Sequence, residues 1–182
     1  MHSYALGVVI FGPKETKIKG SIKYSVIGRY NAQFGSFKGK ITVDQQSNLI
    51  HSVYLEIETA SIESDCKWCD KIVRSDQLLA TDKYPKIIFT SDEIIKNKSD
   101  YTVQGSLELH GVKKRLSFPF QAQITDVKDS SHKTLDIKGE WQINRKDFKI
   151  VWNSFLDQGG ILVGNYINVD WGIKAGIKTE GL

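Results

Sequence analysis

YTVQGSLELHGVKKRLSFPFQAQ, residues 101–123, decides the fold. Tyr101, Val103, Leu107 and Leu109 alternate with Thr102, Gln104, Ser106 and Glu108. After His110-Gly111 the beat resumes, with Leu116, Phe118, Phe120 and Ala122 set against Arg115, Ser117, Pro119 and Gln121. A period of two, rich in aromatic and aliphatic residues and broken by a glycine, predicts two antiparallel strands joined by a tight turn. One face of that hairpin is apolar and the other is wet.

The same pattern extends in both directions. Residues 17–30 read as one long strand, with Ile18, Gly20, Ile22, Tyr24, Val26, Gly28 and Tyr30 on one face. Residues 1–16 are a tail or an extra strand, and 17–176 form the domain. Phe37, Gly39, Ile41 and Val43 mark a second strand, and Val53, Leu55 and Ile57 a third. Between Ile62 and Pro85 the alternation is lost. Trp68, Ile72, Val73, Leu78 and Leu79 fall at near-helical spacing, which predicts one or two short helices ending at Tyr84-Pro85. Ile87 and Phe89 mark strand four, the hairpin supplies five and six, and Leu135, Ile137, Gly139, Trp141 and Ile143 mark seven. An irregular segment with Phe148, Trp152 and Phe155 leads to strand eight, marked by Ile167, Val169, Trp171, Ile173 and Ala175.

Eight amphipathic strands cannot lie as one open sheet with a bare apolar face. Closure into an all-β, eight-stranded antiparallel barrel buries that face and removes the free edges, with the short helical segment between strands three and four. A membrane barrel would carry its apolar face outward. Here the polar face holds too many lysines and acids for a small lumen, so the apolar face is expected inside and no stable membrane insertion is expected. With 182 residues, a net charge of +4 and a pI near 8.9, the chain suits one domain. Its lysines are scattered, which argues against a nucleic-acid surface. The first residues have no basic n-region and make a poor signal peptide.

The expected interior comprises Ile22, Tyr24, Val26, Phe37, Ile41, Val53, Leu55, Ile57, Phe89, Leu107, Leu109, Leu116, Phe118, Phe120, Trp141, Ile143, Val169 and Trp171. None of these is acidic or basic, and a buried catalytic centre needs a titratable group with a partner. The pattern alone leaves two readings, a packed core or a ligand tunnel. No catalytic residue, metal ligand set or cofactor is expected. Cys66 and Cys69 read first as a structural or incidental pair near a helix start, with a local disulfide or half of a metal site as alternatives.

Several motifs carry a family resemblance. VQGSLELHGVKK presents Gly105, Leu107, Leu109, His110, Gly111, Val112 and Lys114. DKYPKIIFTS runs from Asp82 to Ser91, INRKDF from Ile143 to Phe148, and GSFKGKITVD lies on strand two. In this order they resemble the YceI-like family, bacterial lipocalin-like proteins that bind polyisoprenoid lipids. The resemblance implies a lipocalin-like barrel with a long channel for an isoprenoid lipid, such as a quinone or its precursor. It implies binding, meaning carriage, storage or sensing, instead of turnover. It also implies a periplasmic or secreted setting, with a cytoplasmic one left open, as is a homodimer. Two stretches depart from the family pattern. Where the family has Arg-Asp-x-His-Leu and then Asp-Phe-Phe-Asp, Cys69 to Val73 and Gln77 to Ala80 keep only Asp70 of the charged or titratable members, and Arg115 and Lys149 elsewhere replace a usual proline and glycine.

Four polar residues are candidate headgroup contacts near a barrel mouth: Asn144, Arg145, Asp147 and Arg74. Arg145 and Asp147 also read as a clamp that ties the irregular segment to the barrel end. Two rivals from other classes remain. One is a lipid-modifying enzyme with His110, Arg145 and Asp147 converging at a mouth; the other is a filled-barrel interaction module.

Overall fold

The computed structural model describes residues 6–24, 28–98, 100–128, 132–151 and 163–179. Its strands are β1 Leu6–Phe11, β2 Thr16–Tyr24, β3 Gly28–Phe34, β4 Phe37–Asp44, β5 Leu49–Glu58, β6 Ile62–Glu63, β7 Lys86–Asn97, β8 Asp100–Leu109, β9 Val112–Asp126, β10 Lys133–Asn144 and β11 Val163–Thr179. One helix, α1 Lys67–Arg74, lies between β6 and β7, and 3-10 turns span Thr59–Ser61 and Arg145–Phe148.

These segments form a closed eight-stranded antiparallel barrel. β1 and β2 follow one another along the same edge of β11, and β3 and β4 do the same along β2 and β1. The remaining staves are β5, β7, β8, β9, β10 and β11. Closure comes from β11: it pairs with β10 along one edge and with β2 and then β1 along the other. Leu6–Phe11 is therefore a strand of the wall.

The β8–β9 hairpin turns on two residues, His110 and Gly111, between the paired Leu109 and Val112. Both turn residues have positive φ, 53° and 69°, the backbone of the hairpin turn that matches strand twist. His110 tolerates this conformation because its ring packs on Tyr84 and its Nδ1 lies 3.1 Å from the Phe148 carbonyl.

One expected strand is two. Residues 17–30 fold into the hairpin β2–β3, with Tyr24 opposite Gly28 and Ile22 opposite Tyr30. Directly opposed residues share a face, and three residues separate Tyr24 from Gly28, so the even-numbered beat runs through the turn unbroken. Periodicity therefore could not show the break. Tyr24, expected inside, stands at the barrel end and is 40% exposed. Val26 falls outside the described residues, as do Trp152 and Phe155. The helical stretch holds a single α-helix, and the residues from Ser75 to Pro85 form turns.

Alternation along the staves sends apolar side chains inward. Val9, Phe11, Ile41, Val43, Ile50, Tyr101, Val103, Phe120, Leu135, Ile137, Ile173 and Ile177 form the fully buried end of the barrel. Gly39 lies opposite Phe11, whose ring occupies the space a β-carbon on Gly39 would need. We expect Gly39→Val to displace that ring and lower stability by about 1–3 kcal/mol through overpacking; thermal denaturation of the two proteins measures the loss.

Candidate functional site

The two ends of the barrel differ. At one end, the floor, lie the β4–β5, β7–β8 and β9–β10 connections. Asp44 accepts hydrogen bonds there from the Ser47 hydroxyl (2.6 Å) and the Gln46 amide (2.9 Å), which hold its carboxyl below the usual range although burial opposes them. The Lys133 ammonium donates to the Gln45 carbonyl and the Asn48 side chain, and the Tyr101 hydroxyl donates to the Asn48 carbonyl. Tyr101 and Phe120 stack beneath this loop at 5.1 Å. These contacts tie the floor loops together over fully buried side chains.

At the other end, the mouth, lie the β2–β3 and β8–β9 turns, the α1 segment and the link from β10 to β11. On β2, β10 and β11 the inward-facing residues lose burial toward it, whereas Ile57 on β5 and Leu107 and Leu109 on β8 stay buried beside it. On β10, Leu135 and Ile137 are buried but Trp141 and Ile143 only partly so; on β11, Ile173 is buried but Ile167, Val169 and Trp171 are partly exposed. Ile22, Val53, Leu55 and Leu116 are likewise partly buried, whereas Phe37, Ile57, Phe89, Leu107, Leu109, Phe118 and Phe120 are buried. An inward residue that keeps accessible surface borders space its neighbours do not fill. This part of the apolar wall is less tightly covered than the floor.

Aromatic rings cover part of that wall. Trp171 lies opposite Gly139, and a β-carbon there would come within 2.7 Å of the indole nitrogen. The indole thus lies flat on the wall. Phe118 joins Trp141 at 4.1 Å and Trp171 at 6.5 Å, with the second contact edge-on.

The polar residues of the mouth are mostly structural. Arg145 is buried and donates to the carbonyls of Ile150 (2.7 Å), Gly164 (2.8 Å) and Val163 (3.3 Å). It thereby ties the Arg145–Phe148 turn to the start of β11. Asn144 caps that turn by accepting from the Lys146 amide at 3.1 Å. Asp147 is exposed and lies 3.8 Å from the Lys114 ammonium. Arg74 donates to the Ile62 carbonyl, and its buried Nε has no partner among the described residues.

Asp70 was singled out by sequence only as the surviving member of a motif. It is fully buried and accepts from the Ser64 hydroxyl (2.5 Å) and amide (3.1 Å) and from the Tyr30 hydroxyl (2.8 Å). Burial pushes its pKa up, but these donors outweigh it and hold the carboxyl below its usual value. Burial and donation to Asp70 raise the Tyr30 hydroxyl far above its ordinary value. This carboxylate fastens α1 to β3. Cys66 and Cys69 form a disulfide in the first turn of α1, the alternative that sequence placed second. Among the described residues, no three His, Cys, Asp or Glu side chains gather to hold a metal.

A groove of ≈ 1130 Å³ also runs over the outer faces of β2, β3, β10 and β11, lined by Lys19, Arg29, Gln33, Glu63, Glu140 and Asp170 among others. Its lining mixes charges of both signs with Ala32, Trp141 and Val169, so the more uniformly apolar interior remains the candidate site.

Such an arrangement, a closed lipocalin-like antiparallel barrel with an apolar interior, defines a class of small barrels. Within it the chain belongs to the YceI-like family: the model for the YceI-like domain matches residues 11–175. Protein YceI of Escherichia coli O17:K52:H18 is 32% identical over 126 residues, covering 66% of this chain and 65% of the relative. The UPF0312 protein YE1254 of Yersinia enterocolitica is 38% identical over 81 residues, 44% of this chain and 42% of the relative. The chain thus spans less than two thirds of the length of these curated relatives. Among solved structures, Burkholderia cenocepacia BcnA superposes with a TM-score of 0.72 at 18% identity, covering 88% of this chain and 96% of that one. The Campylobacter jejuni YCEI protein gives 0.70 at 21%, covering 85% and 89%.

Asp70→Ala is expected to cost about 3 kcal/mol, because hydrogen bonds to a buried carboxylate are lost and their donors stranded. The pH dependence follows from the depressed pKa. Stabilisation is complete above the ordinary carboxylate range and drains away as pH falls through that range toward the folded value. Chemical denaturation at neutral and acid pH checks both points: Asp70→Asn should flatten part of the acid loss.

Proposed function

We propose that this chain binds a long apolar isoprenoid lipid, such as a quinone or polyprenyl precursor, inside the barrel. The observation that carries the reading is the run of inward-facing apolar residues that stay partly exposed along β2, β10 and β11, above a floor filled by buried side chains. Each methylene drawn into that lumen contributes about 0.8 kcal/mol, so an extended chain needs no polar anchor to be held. A solved neighbour supports the ligand class: a polyisoprenoid binding domain from Saccharophagus degradans, implicated in plant cell wall breakdown, superposes with a TM-score of 0.68 at 12% identity. It covers 98% of this chain and 100% of that one.

The role is carriage, storage or sensing, without turnover. The polar candidates speak for this. Arg145 is committed to three carbonyls, His110 contacts the Phe148 carbonyl, and Asp147 faces solvent beside Lys114, so they do not form an acid–base pair facing the lumen. Arg74, with one buried N–H uncommitted, is the candidate donor to a polar head. A periplasmic or secreted setting suits the Cys66–Cys69 disulfide, since such bonds persist in oxidising compartments.

Native mass spectrometry of the purified protein, followed by organic extraction, tests the reading. A stoichiometric adduct with an isoprenoid mass pattern is expected. A clean apo mass with no uptake of offered quinones or polyprenyl lipids would overturn it and favour a filled barrel. Ile143→Trp, which fills space near the mouth, is expected to fold normally and weaken uptake by about tenfold or more, the equivalent of about two methylenes of lost burial.

A further inference from the structure

The outer face of α1 is unlike the rest of the surface. Lys67, Trp68 and Lys71 are its exposed residues, while Asp70 is buried beneath them and Val73 packs on the core. Trp68 is 66% exposed, and the Lys67 side chain is 79% exposed. The disulfide closes the first turn on either side of Lys67 and Trp68, and Asp70 anchors the next residues to β3. A large aromatic is thus held in solvent on a doubly fastened helix, with a cation on either side. The helix stands at the mouth. Tyr24 and Tyr166, 40% and 57% exposed, lie at this same end on the paired strands β2 and β11.

Resting on the lipid reading above, we propose that this face docks the barrel mouth on an anionic lipid bilayer, so that the ligand passes between membrane and lumen without crossing water. Tryptophan and tyrosine favour the headgroup level of a bilayer, where the ring is half-wetted. Lysines beside such a ring are drawn to anionic lipids, each contributing about a fivefold gain in affinity. The charge fits this occupant: α1 carries Lys67, Lys71 and Arg74 against one acid, Asp70, which is buried and paired with Lys67 at 3.8 Å, so Lys71 is the exposed cation left beside Trp68. The exposed acids nearest in sequence, Asp65 and Asp76, lie beyond the two helix ends. A long isoprenoid also requires such a device, because its solubility in water is too low for free diffusion to deliver it.

The test has two arms. In the first, flotation of the apo protein is measured with vesicles of phosphatidylcholine alone and of phosphatidylcholine mixed with phosphatidylglycerol. In the second, transfer of a fluorescent polyprenyl lipid between donor and acceptor vesicles is timed. The variants are Trp68→Ala and Lys71→Ala; Lys67 is left intact because it touches Asp70. The wild type is expected to float with the anionic vesicles and to detach at high salt. Each variant is expected to lose about fivefold in vesicle affinity and to slow transfer similarly, with its equilibrium lipid load unchanged. Flotation that does not depend on phosphatidylglycerol, or that both variants retain in full, would overturn the proposal and leave Trp68 to a protein partner. Because flotation is read on apo protein, it decides docking even if the lumen takes up no lipid, an outcome that would refute the binding function separately.

Discussion

The structure depends on β11 being paired along both edges. Seventeen residues long, it meets β10 along one side from Tyr166 to Ile177, and on the other meets β2 and then β1. The last contacts, Gly7 with Thr179 and Val8 with Lys178, help to close the sheet over its apolar face, as do the pairings of β2 with β3 and of β3 with β6. Closure converts that face into a lumen and leaves the charged face outside. There Glu56 gathers Lys86, Tyr54 and Lys38 across β4, β5 and β7, and those partners, the Lys86 ammonium foremost, hold its carboxyl at about 2.

The ends of the barrel are built on different principles. At the floor the inward residues fill the space themselves, and the loop from Gln45 to Asn48 is bound down by Lys133 and Tyr101. At the mouth the work of holding the wall together falls to buried polar groups, Arg145 on carbonyls and Asp70 on Ser64 and Tyr30. These groups hold backbone at irregular connections and at the first residues of β11, where the register with β2 shifts and the ladder is incomplete. Their burial is a requirement of closing an irregular rim, which is why charged residues near a cavity need not face the ligand.

Much of this was legible in the residues. The period of two placed most of the wall, the His110-Gly111 break located the tight hairpin, and the lost beat after Ile62 located the helix. The β2–β3 turn was not legible, because a three-residue connection keeps even-numbered residues on one face through the reversal. The Asp70 cluster was only partly so: Tyr30 lies forty positions away, and no local pattern connects the two. The disulfide was an open alternative, since C-x-x-C spacing is shared by several chemistries. Arg145 illustrates the last difficulty, for a motif arginine reads the same whether it grips a ligand or its own backbone.

The flat seating of Trp171 on Gly139 bears on selectivity. A wall of rings and branched aliphatics presents no feature that repeats at a fixed interval along the axis, so a lipid chain held as proposed would have no preferred axial position and would slide until something stopped it. The stop would be the filled floor around Ile137, Tyr101 and Ile41. On that proposal the barrel would work as a depth gauge: the distance from floor to mouth would fix how much tail is swallowed, and whatever is longer would leave its head outside.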